Sequence, residues 1–172
     1  MTSIESLGYP IGYKATYKQD AWPELAPGDI AIRTEARALT GMQKEALVYY
    51  TPSQMVWRMV SDEGPYLNGT DLAPFPLAYY AAGMAFSFVA EFLKHAAANN
   101  VDISSVTLEQ DNFYTMEGSA IRGDMTGGSL PTQLTLKVKS NADTSQLEEL
   151  ALAAASSSPA QDYMYSAHQN IF

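Results

Sequence analysis

Alternating apolar and polar residues predict three strands in the first third of the chain. Residues 30–39 carry Ile, Thr and Ala at every second position, with Arg and Glu between several of them. This is the period-two pattern of a half-buried strand. Residues 45–51 and 55–60 have the same character, and residues 40–41 and 51–53 supply the intervening turns. The pattern therefore predicts an antiparallel meander.

The next predicted element is a helix with apolar residues on every face. Polar side chains are rare from residue 77 to residue 93, so this helix must be surrounded by protein. Pro76 suits its first turn, and Asn99 and Asn100 end it. The apolar part before Glu91 is about 15–18 residues long, short of the roughly 20 that a bilayer requires. A buried core helix is therefore predicted rather than a membrane span.

The second half of the chain predicts three more strands and a second helix. The strands lie at residues 101–112, 118–122 and 133–139. Gly127 and Gly128 supply a turn, and a helix begins near residue 143 or 144, where Ser145 and Glu148 fit a capping box. The order β-β-β-α-β-β-β-α predicts an α+β domain with antiparallel sheets and two main helices.

Composition bounds the organisation of the protein and its partners. Gly and Pro break any period in residues 1–29, which predicts an N-terminal arm or an edge strand laid over the body, and residues 30–172 are expected to form one domain. Charged residues make up only 17% of the chain, which predicts that a partner copy covers neutral surface. The net charge of −9 argues against nucleic acid and anionic membrane as partners, because both need clustered Lys and Arg. The N-terminus lacks the pattern of a signal peptide, so a cytoplasmic location is expected.

The absence of cysteine removes several classes of chemistry. The chain has no Cys, which excludes disulfides, thiolate metal sites, cysteine nucleophiles and thiol peroxidase turnover. His95 and His168 are far apart in the sequence, so they show no metal-site spacing and do not support a triad with Ser158. The glycines of residues 118–128 match neither a phosphate loop nor a dinucleotide fingerprint. We therefore expect no metal and no cofactor.

One segment resembles a known family. Residues 65–83, PYLNGTDLAPFPLAYYAAG, and the run MAFSFVAEFL after them resemble the central segment of the OsmC/Ohr family, with Pro65, Gly69, Pro74 and Gly83 in matching places. Members of that family mostly reduce organic peroxides with a pair of cysteines. The resemblance extends over residues 30–172. It implies an OsmC-like fold and an intertwined homodimer, with the apolar helix buried near the dimer axis.

The resemblance also indicates where the reactive groups of the family would lie. Ala85 falls about where the first cysteine stands, and Ser158, just before a proline, falls at the second. The activating arginine of the family comes from the N-terminal sheet, where Arg33, Arg37 and Arg58 are all candidates. Both sulfur atoms are thus replaced, one by a methyl group and one by a hydroxyl.

Two sets of residues are candidates for a functional site. Helical spacing around the vacated cysteine position predicts a mostly apolar pocket wall at the subunit interface. Its ligand-binding candidates are Tyr80, Met84, Ala85, Ser87, Phe88 and Ser158. A carboxylate in an apolar pocket can act as a general base while Tyr or Arg polarises a carbonyl. The catalytic candidates of this kind are Asp111, Glu117, Tyr114 and Arg122. Core packing for the first set and a solvated surface for the second are the alternatives.

Two functions remain open from the sequence. The first is a cofactor-free acid–base enzyme, a lyase, hydrolase or isomerase, that acts on a small hydrophobic or aromatic molecule. The second is a protein that binds such a molecule without turnover, because no residue visibly replaces the missing nucleophile. In both cases the expected partners are a second copy of the chain and a small hydrophobic ligand.

Overall fold

The computed structural model describes residues 13–15, 26–50, 56–119 and 122–160, and it describes residues 13–15 by their backbone alone. The chain forms two compact units that divide between Tyr79 and Tyr80. Most of the predicted N-terminal arm, the predicted turn at residues 51–53 and the C-terminal tail lie outside the described residues.

The N-terminal unit contains a four-stranded antiparallel sheet with the spatial order β1-β4-β3-β2. Its strands are β1 (Tyr13–Ala15), β2 (Ile32–Ala38), β3 (Lys44–Tyr50) and β4 (Val56–Ser61). The predicted antiparallel meander is confirmed. The predicted half-burial of its first strand is not seen within one chain, because β2 is an edge strand and six of its seven residues are exposed.

The loop after β4 is organised by one buried carboxylate, that of Asp62, which is only 1% exposed. Its oxygens accept hydrogen bonds from the backbone N–H groups of Glu63 (2.8 Å), Thr70 (3.1 Å) and Leu72 (3.3 Å). The Thr70 hydroxyl donates a fourth bond of 2.6 Å. These bonds, that of the Thr70 hydroxyl foremost, hold the pKa of the Asp62 carboxyl below its usual range because they stabilise the ionised form.

Gly69 allows the two ends of this loop to approach each other closely. A Cβ atom at Gly69 would lie 1.7 Å from the carbonyl oxygen of Glu63, so no side chain fits there. Asn68 and Asp71 on either side have left-handed backbone, with φ of 59° and 55°, which Asn and Asp adopt more readily than most residues. The loop therefore depends on these residue types at these positions.

The C-terminal unit contains two helices and two pairs of strands. Helix α1 spans Pro76–Ala98, and helix α2 spans Thr144–Ser157. Strand β5 (Ile103–Asp111) pairs with β8 (Gln133–Ser140), and β6 (Tyr114–Glu117) pairs with β7 (Thr126–Ser129). Both predicted helices are confirmed, as is the end of α1 at Asn99 and Asn100, where Asn100 has a left-handed φ of 57°. The N-cap of α2 is Asp143 rather than Ser145, because its carboxylate accepts the Gln146 N–H at 2.8 Å.

For the described residues 118, 119 and 122 the prediction of a strand is wrong, and residues 120 and 121 lie outside the described residues. Gly118 has a φ of 93°, outside the range of a strand. The Asp124 carboxylate accepts the Ser119 N–H at 2.7 Å and so closes a turn between β6 and β7. The strand lies earlier in the chain, at β6.

The predicted turn at Gly127 and Gly128 is also wrong. These glycines lie within β7, opposite Met116 and Thr115 of β6. A Cβ atom at Gly128 would stand 2.7 Å from the Thr115 hydroxyl. The absence of a side chain at Gly128 therefore allows β6 and β7 to pack closely. Two adjacent glycines in a sequence do not distinguish this role from a turn.

Helix α1 buries one side in the core of the C-terminal unit and exposes another. The buried core consists of Phe88, Phe92, Ala96, Ile103, Leu150 and Ala154. On the other side of the helix Phe86 is 73% exposed. By length and composition alone α1 could cross a membrane, and only 17% of its most apolar 18-residue window is buried. The predicted burial on every face is thus not seen within one chain, although the core role of Phe92 is consistent with a soluble protein.

We predict that Gly69→Ala destabilises the protein by about 2 kcal/mol or more, because two backbone segments would have to separate. Gly64→Ala in the same loop is the matched control. A Cβ atom at Gly64 meets nothing within 4 Å, and its φ of −72° suits any residue, so its effect should stay within about 0.5 kcal/mol. Urea unfolding of both variants measures the difference, and equal stabilities would contradict the prediction.

Candidate functional site

A cavity of about 280 Å³ opens on one side of the N-terminal sheet. The strand register places Ala36 opposite Ala46 and Ala46 opposite Met59, so these side chains share one face. The first residues of α1 complete the wall. The apolar lining is formed by Ala36, Ala46, Val48, Met59, Pro76 and Tyr79. We call this space the N-terminal cavity.

Few polar groups line the N-terminal cavity. The Ser61 hydroxyl is buried and has no hydrogen-bond partner among the described residues. The Lys44 ammonium lies 2.8 Å from a Glu63 carboxylate oxygen, and both side chains are partly buried. The Tyr79 hydroxyl donates a 2.6 Å bond to the carbonyl of Val60, which fixes its ring against the sheet. The surface of the cavity is therefore almost wholly apolar, and the buried Ser61 hydroxyl is not accessible from it.

The opposite face of the same sheet carries an Arg–Glu–Arg cluster. Glu45, 7% exposed, pairs through one oxygen with Arg37 and through the other with Arg58, whose Nε lies 2.6 Å away. These hydrogen bonds, that of Arg58 first and that of Arg37 second, hold the pKa of the Glu45 carboxyl below its usual range. Of the three arginines suggested by the family resemblance, these two thus share a buried carboxylate.

In the C-terminal unit the two helices meet at a pair of serines. The hydroxyl oxygens of Ser87 on α1 and Ser158 at the end of α2 lie 2.8 Å apart, and Ser158 is 1% exposed. Ala85 is two residues from Ser87, about 200° around the helix, so it lies on a different side of α1. The structure therefore brings Ser87 rather than Ala85 to Ser158.

The other ligand-binding candidates on α1 differ in their surroundings. Met84 and Phe88 are buried, and Phe88 belongs to the hydrophobic core with Phe92. Tyr80 and Ala85 are half-buried. Core packing therefore accounts for Phe88.

The structure places all four catalytic candidates in contact with solvent. Asp111 ends the exposed side of β5, and Glu117 and Tyr114 lie on the exposed hairpin strand β6. Arg122 lies in the turn, where its Nε is 2.9 Å from the carboxylate of Asp124. None of these four residues is buried in an apolar environment that would favour proton transfer.

Two polar contacts of α1 in the C-terminal unit were not predicted from the sequence. Gln110, beside Asp111 on β5, donates to the Ala81 carbonyl at 3.2 Å, and its Oε1 is buried without a partner among the described residues. His95 Nε2 lies 2.9 Å from the Ser157 hydroxyl, which is 3.3 Å from a Glu91 carboxylate oxygen. The i, i+4 spacing of Glu91 and His95 could have signalled this contact.

The Glu91–Ser157–His95 contact lacks the order of a catalytic triad. In a triad the acid orients the imidazole, whereas here the carboxylate reaches the serine. The Ser157 hydroxyl also donates to the Ala153 carbonyl at 2.9 Å. We interpret the contact as a polar tie between α1 and α2. Among the described residues no group of His, Asp and Glu side chains could hold a metal ion.

Comparison with solved structures identifies the fold. An organic hydroperoxide resistance protein from Elizabethkingia anophelis with bound thiocyanate superposes with a TM-score of 0.58 at 12% identity, covering 79% of this chain and 89% of that one. An OsmC-like protein from Mycoplasma pneumoniae gives 0.57 at 14% identity, covering 83% and 92%. A Vibrio cholerae protein described as an organic hydroperoxide resistance protein, with captopril bound in one of its active sites, gives 0.52 at 16% identity, covering 78% and 85%.

Sequence comparison adds no closer relative. No protein-family model matches the sequence, and no curated protein matches it either. At 12–16% identity the three structures establish the fold alone. The chain thus has the OsmC-like fold that its sequence predicts, without the cysteines named in that resemblance.

We predict that Ser87→Cys combined with Ser158→Cys forms a disulfide on mild oxidation, because the two hydroxyl oxygens are already in contact. Closure of so long a loop should stabilise the protein by about 2–4 kcal/mol. Ala85→Cys with Ser158→Cys is the matched control and should remain reduced. Intact mass and urea unfolding report both effects. Cross-linking of the control pair instead would place Ala85 opposite Ser158.

Proposed function

We propose that this protein is a non-peroxidase with the OsmC-like fold that binds a small hydrophobic molecule. The observation that carries the proposal is the N-terminal cavity, whose wall is formed mainly by apolar side chains. Apolar concavities with few polar groups are the usual form of small-molecule sites. The captopril-bound protein from Vibrio cholerae supports it, since a protein of similar fold holds a small molecule.

Thiol-based peroxide reduction is excluded by the atoms that the chain lacks. Thiol peroxidases pass through a sulfenic acid on a cysteine sulfur, and this chain has no cysteine. The hydroxyls of Ser87 and Ser158 are in contact, at a distance over which two cysteine side chains could form a disulfide. A serine hydroxyl, however, cannot form a sulfenic acid.

Binding without turnover is favoured over acid–base catalysis by the state of the buried carboxylates. A carboxyl group that exchanges protons near neutral pH needs a raised pKa. Among the described residues the buried carboxyls are those of Glu45 and Asp62, and hydrogen bonds lower the pKa of both. An acid–base enzyme remains the second hypothesis. It would require a partner copy to enclose the exposed candidates Asp111 and Glu117 at the ligand.

A homodimer is part of this proposal. Helix α1 exposes Phe86, and the edge strand β2 begins at Ile32, which is 67% exposed. With charged residues at 17% of the chain, much of the remaining surface is neutral. Such apolar surface on two elements is typical of a stable protein interface, and an intertwined pair of chains would cover both elements.

We predict that the purified protein binds indole or cyclohexanone in calorimetric titrations, and that Ala46→Leu weakens this binding at least tenfold. The added methyl groups would occupy the N-terminal cavity, which Ala46 faces. Leu47→Phe is the matched control, because Leu47 lies on the opposite side of the sheet, in the opening beside Arg37. Native mass spectrometry of the wild type tests for a copurified ligand. Unchanged affinity in Ala46→Leu would move the site elsewhere.

We predict a dimer at micromolar concentration and expect Phe86→Glu to dissociate it, because a charge would replace an exposed apolar side chain at the interface. Ala97→Glu, an exposed position near the end of the same helix, should leave the dimer intact. Sedimentation velocity distinguishes the two variants. A monomeric wild type would contradict the prediction.

A further inference from the structure

We propose that Asn68 is a site of deamidation, and that the loop of residues 62–72 controls this modification. The closed loop, which we call the Asp62 loop, holds Asn68 in a conformation that cannot react. Once Asn68 has been modified, the loop no longer closes as before. This inference is independent of the proposed function, because it concerns the covalent chemistry of the loop and not the ligand of the cavity.

The residue after Asn68 makes it the most reactive asparagine of the chain. Asn68 is the only asparagine that a glycine follows, and a glycine has no side chain to hinder attack by its own backbone nitrogen. In deamidation that nitrogen loses its proton to water and attacks Cγ of the asparagine. The side-chain amide nitrogen takes up a proton and leaves as ammonia, so that a succinimide ring forms. Water then opens the ring to aspartate or to isoaspartate, whose backbone is one carbon longer.

The folded loop keeps the two reacting groups apart. Ring closure requires the Gly69 nitrogen and Cβ of Asn68 to lie on the same side of the bond between Cα and the carbonyl carbon. The left-handed backbone of Asn68, with φ of 59° and ψ of 25°, instead directs that nitrogen away from the side chain. The Gly69 N–H also donates to the carbonyl of Gly64 at 3.0 Å, which retains the proton that the reaction must remove. Asn68 is exposed to water but is out of reach of its own backbone.

Reaction at Asn68 therefore requires the loop to open. Rotation of the Asn68 backbone moves Gly69, and Gly69 is so close to the backbone of Glu63 that even a Cβ atom has no room. The next residue, Thr70, donates its N–H and its hydroxyl to the Asp62 carboxylate, at 3.1 and 2.6 Å. Local opening must break these bonds before the ring can form. The free energy of that opening thus sets the rate of the reaction.

The products do not fit the closed loop. Isoaspartate lengthens the backbone beside Gly69, where the two ends of the loop leave no free space. Aspartate keeps the backbone length, but it adds a negative charge to a loop that already contains the buried Asp62 carboxylate. Deamidation therefore makes a transient opening of the loop permanent. Each modified molecule is one in which the loop has opened.

The first part of the test uses the wild type alone. It is incubated at mildly alkaline pH, with and without enough urea to unfold it, and peptide mass spectrometry measures deamidation of each asparagine. In the unfolded chain Asn68 should react faster than Asn141, which precedes an alanine. In the folded protein Asn68 should react at least tenfold more slowly than in the unfolded chain, because the loop must first open.

The second part uses two threonine variants that circular dichroism shows to be folded. Thr70→Val removes a hydrogen bond to a charged group, so it should accelerate deamidation of Asn68 in the folded protein about tenfold or more. Thr132→Val is the matched control, because the Thr132 hydroxyl bonds the side chain of Asn112 in the C-terminal unit. It should leave the rate at Asn68 unchanged. Deamidated wild type, separated by ion exchange, should unfold at a lower urea concentration than unmodified protein.

Each part can overturn the inference. Equal rates at Asn68 in the folded and unfolded wild type, or a faster reaction at another asparagine of the unfolded chain, would do so without reliance on any variant. An unchanged rate in Thr70→Val would show that the bonds to Asp62 do not control the site. Equal urea midpoints for modified and unmodified protein would show that the loop still closes after modification.

Discussion

The hydrogen bonds to the Asp62 carboxylate determine how the N-terminal unit closes around its cavity. Asp62 follows directly after β4, and its oxygens accept N–H and O–H groups from Thr70 and Leu72, eight and ten residues further on. A loop of that length would otherwise be free to adopt many conformations. By drawing the loop back to the end of β4, the carboxylate fixes where α1 begins, and hence where Pro76 and Tyr79 meet the sheet.

Both buried carboxylates of this unit are held by partners suited to a permanent charge. Asp62 is satisfied mainly by backbone N–H groups, and Glu45 by two guanidinium groups. A buried charge is tolerated only when such partners replace water. Ser61, next in sequence to Asp62, is the opposite case, because its hydroxyl is buried and lacks any partner among the described residues. The two neighbouring residues thus differ in whether groups of the protein satisfy their buried polar atoms.

The sequence predicts the parts of this fold that depend on local patterns and misses those that depend on packing. Alternation in residues 30–39 and the long apolar run of α1 are enough to identify those elements, because period and length are local signals. The turn predicted at Gly127 and Gly128 is misplaced, since both glycines lie within β7, and Gly128 avoids a close contact with Thr115 of the neighbouring strand. The contact of Ser87 with Ser158 depends on how two helices pack, and spacing along one helix cannot reveal it.

The lowered pKa of Asp62 has a consequence for the conditions under which the cavity persists. A carboxyl group whose pKa is lower in the folded protein than in the unfolded chain stabilises the fold fully above the unfolded value, about 3.9 for Asp. That contribution declines as the pH falls through the folded value. At a pH at which an ordinary aspartate is half-protonated, the Asp62 carboxyl of the folded protein is therefore still mostly ionised. Mild acidification should therefore not by itself undo the hydrogen bonds that hold the loop to the end of β4.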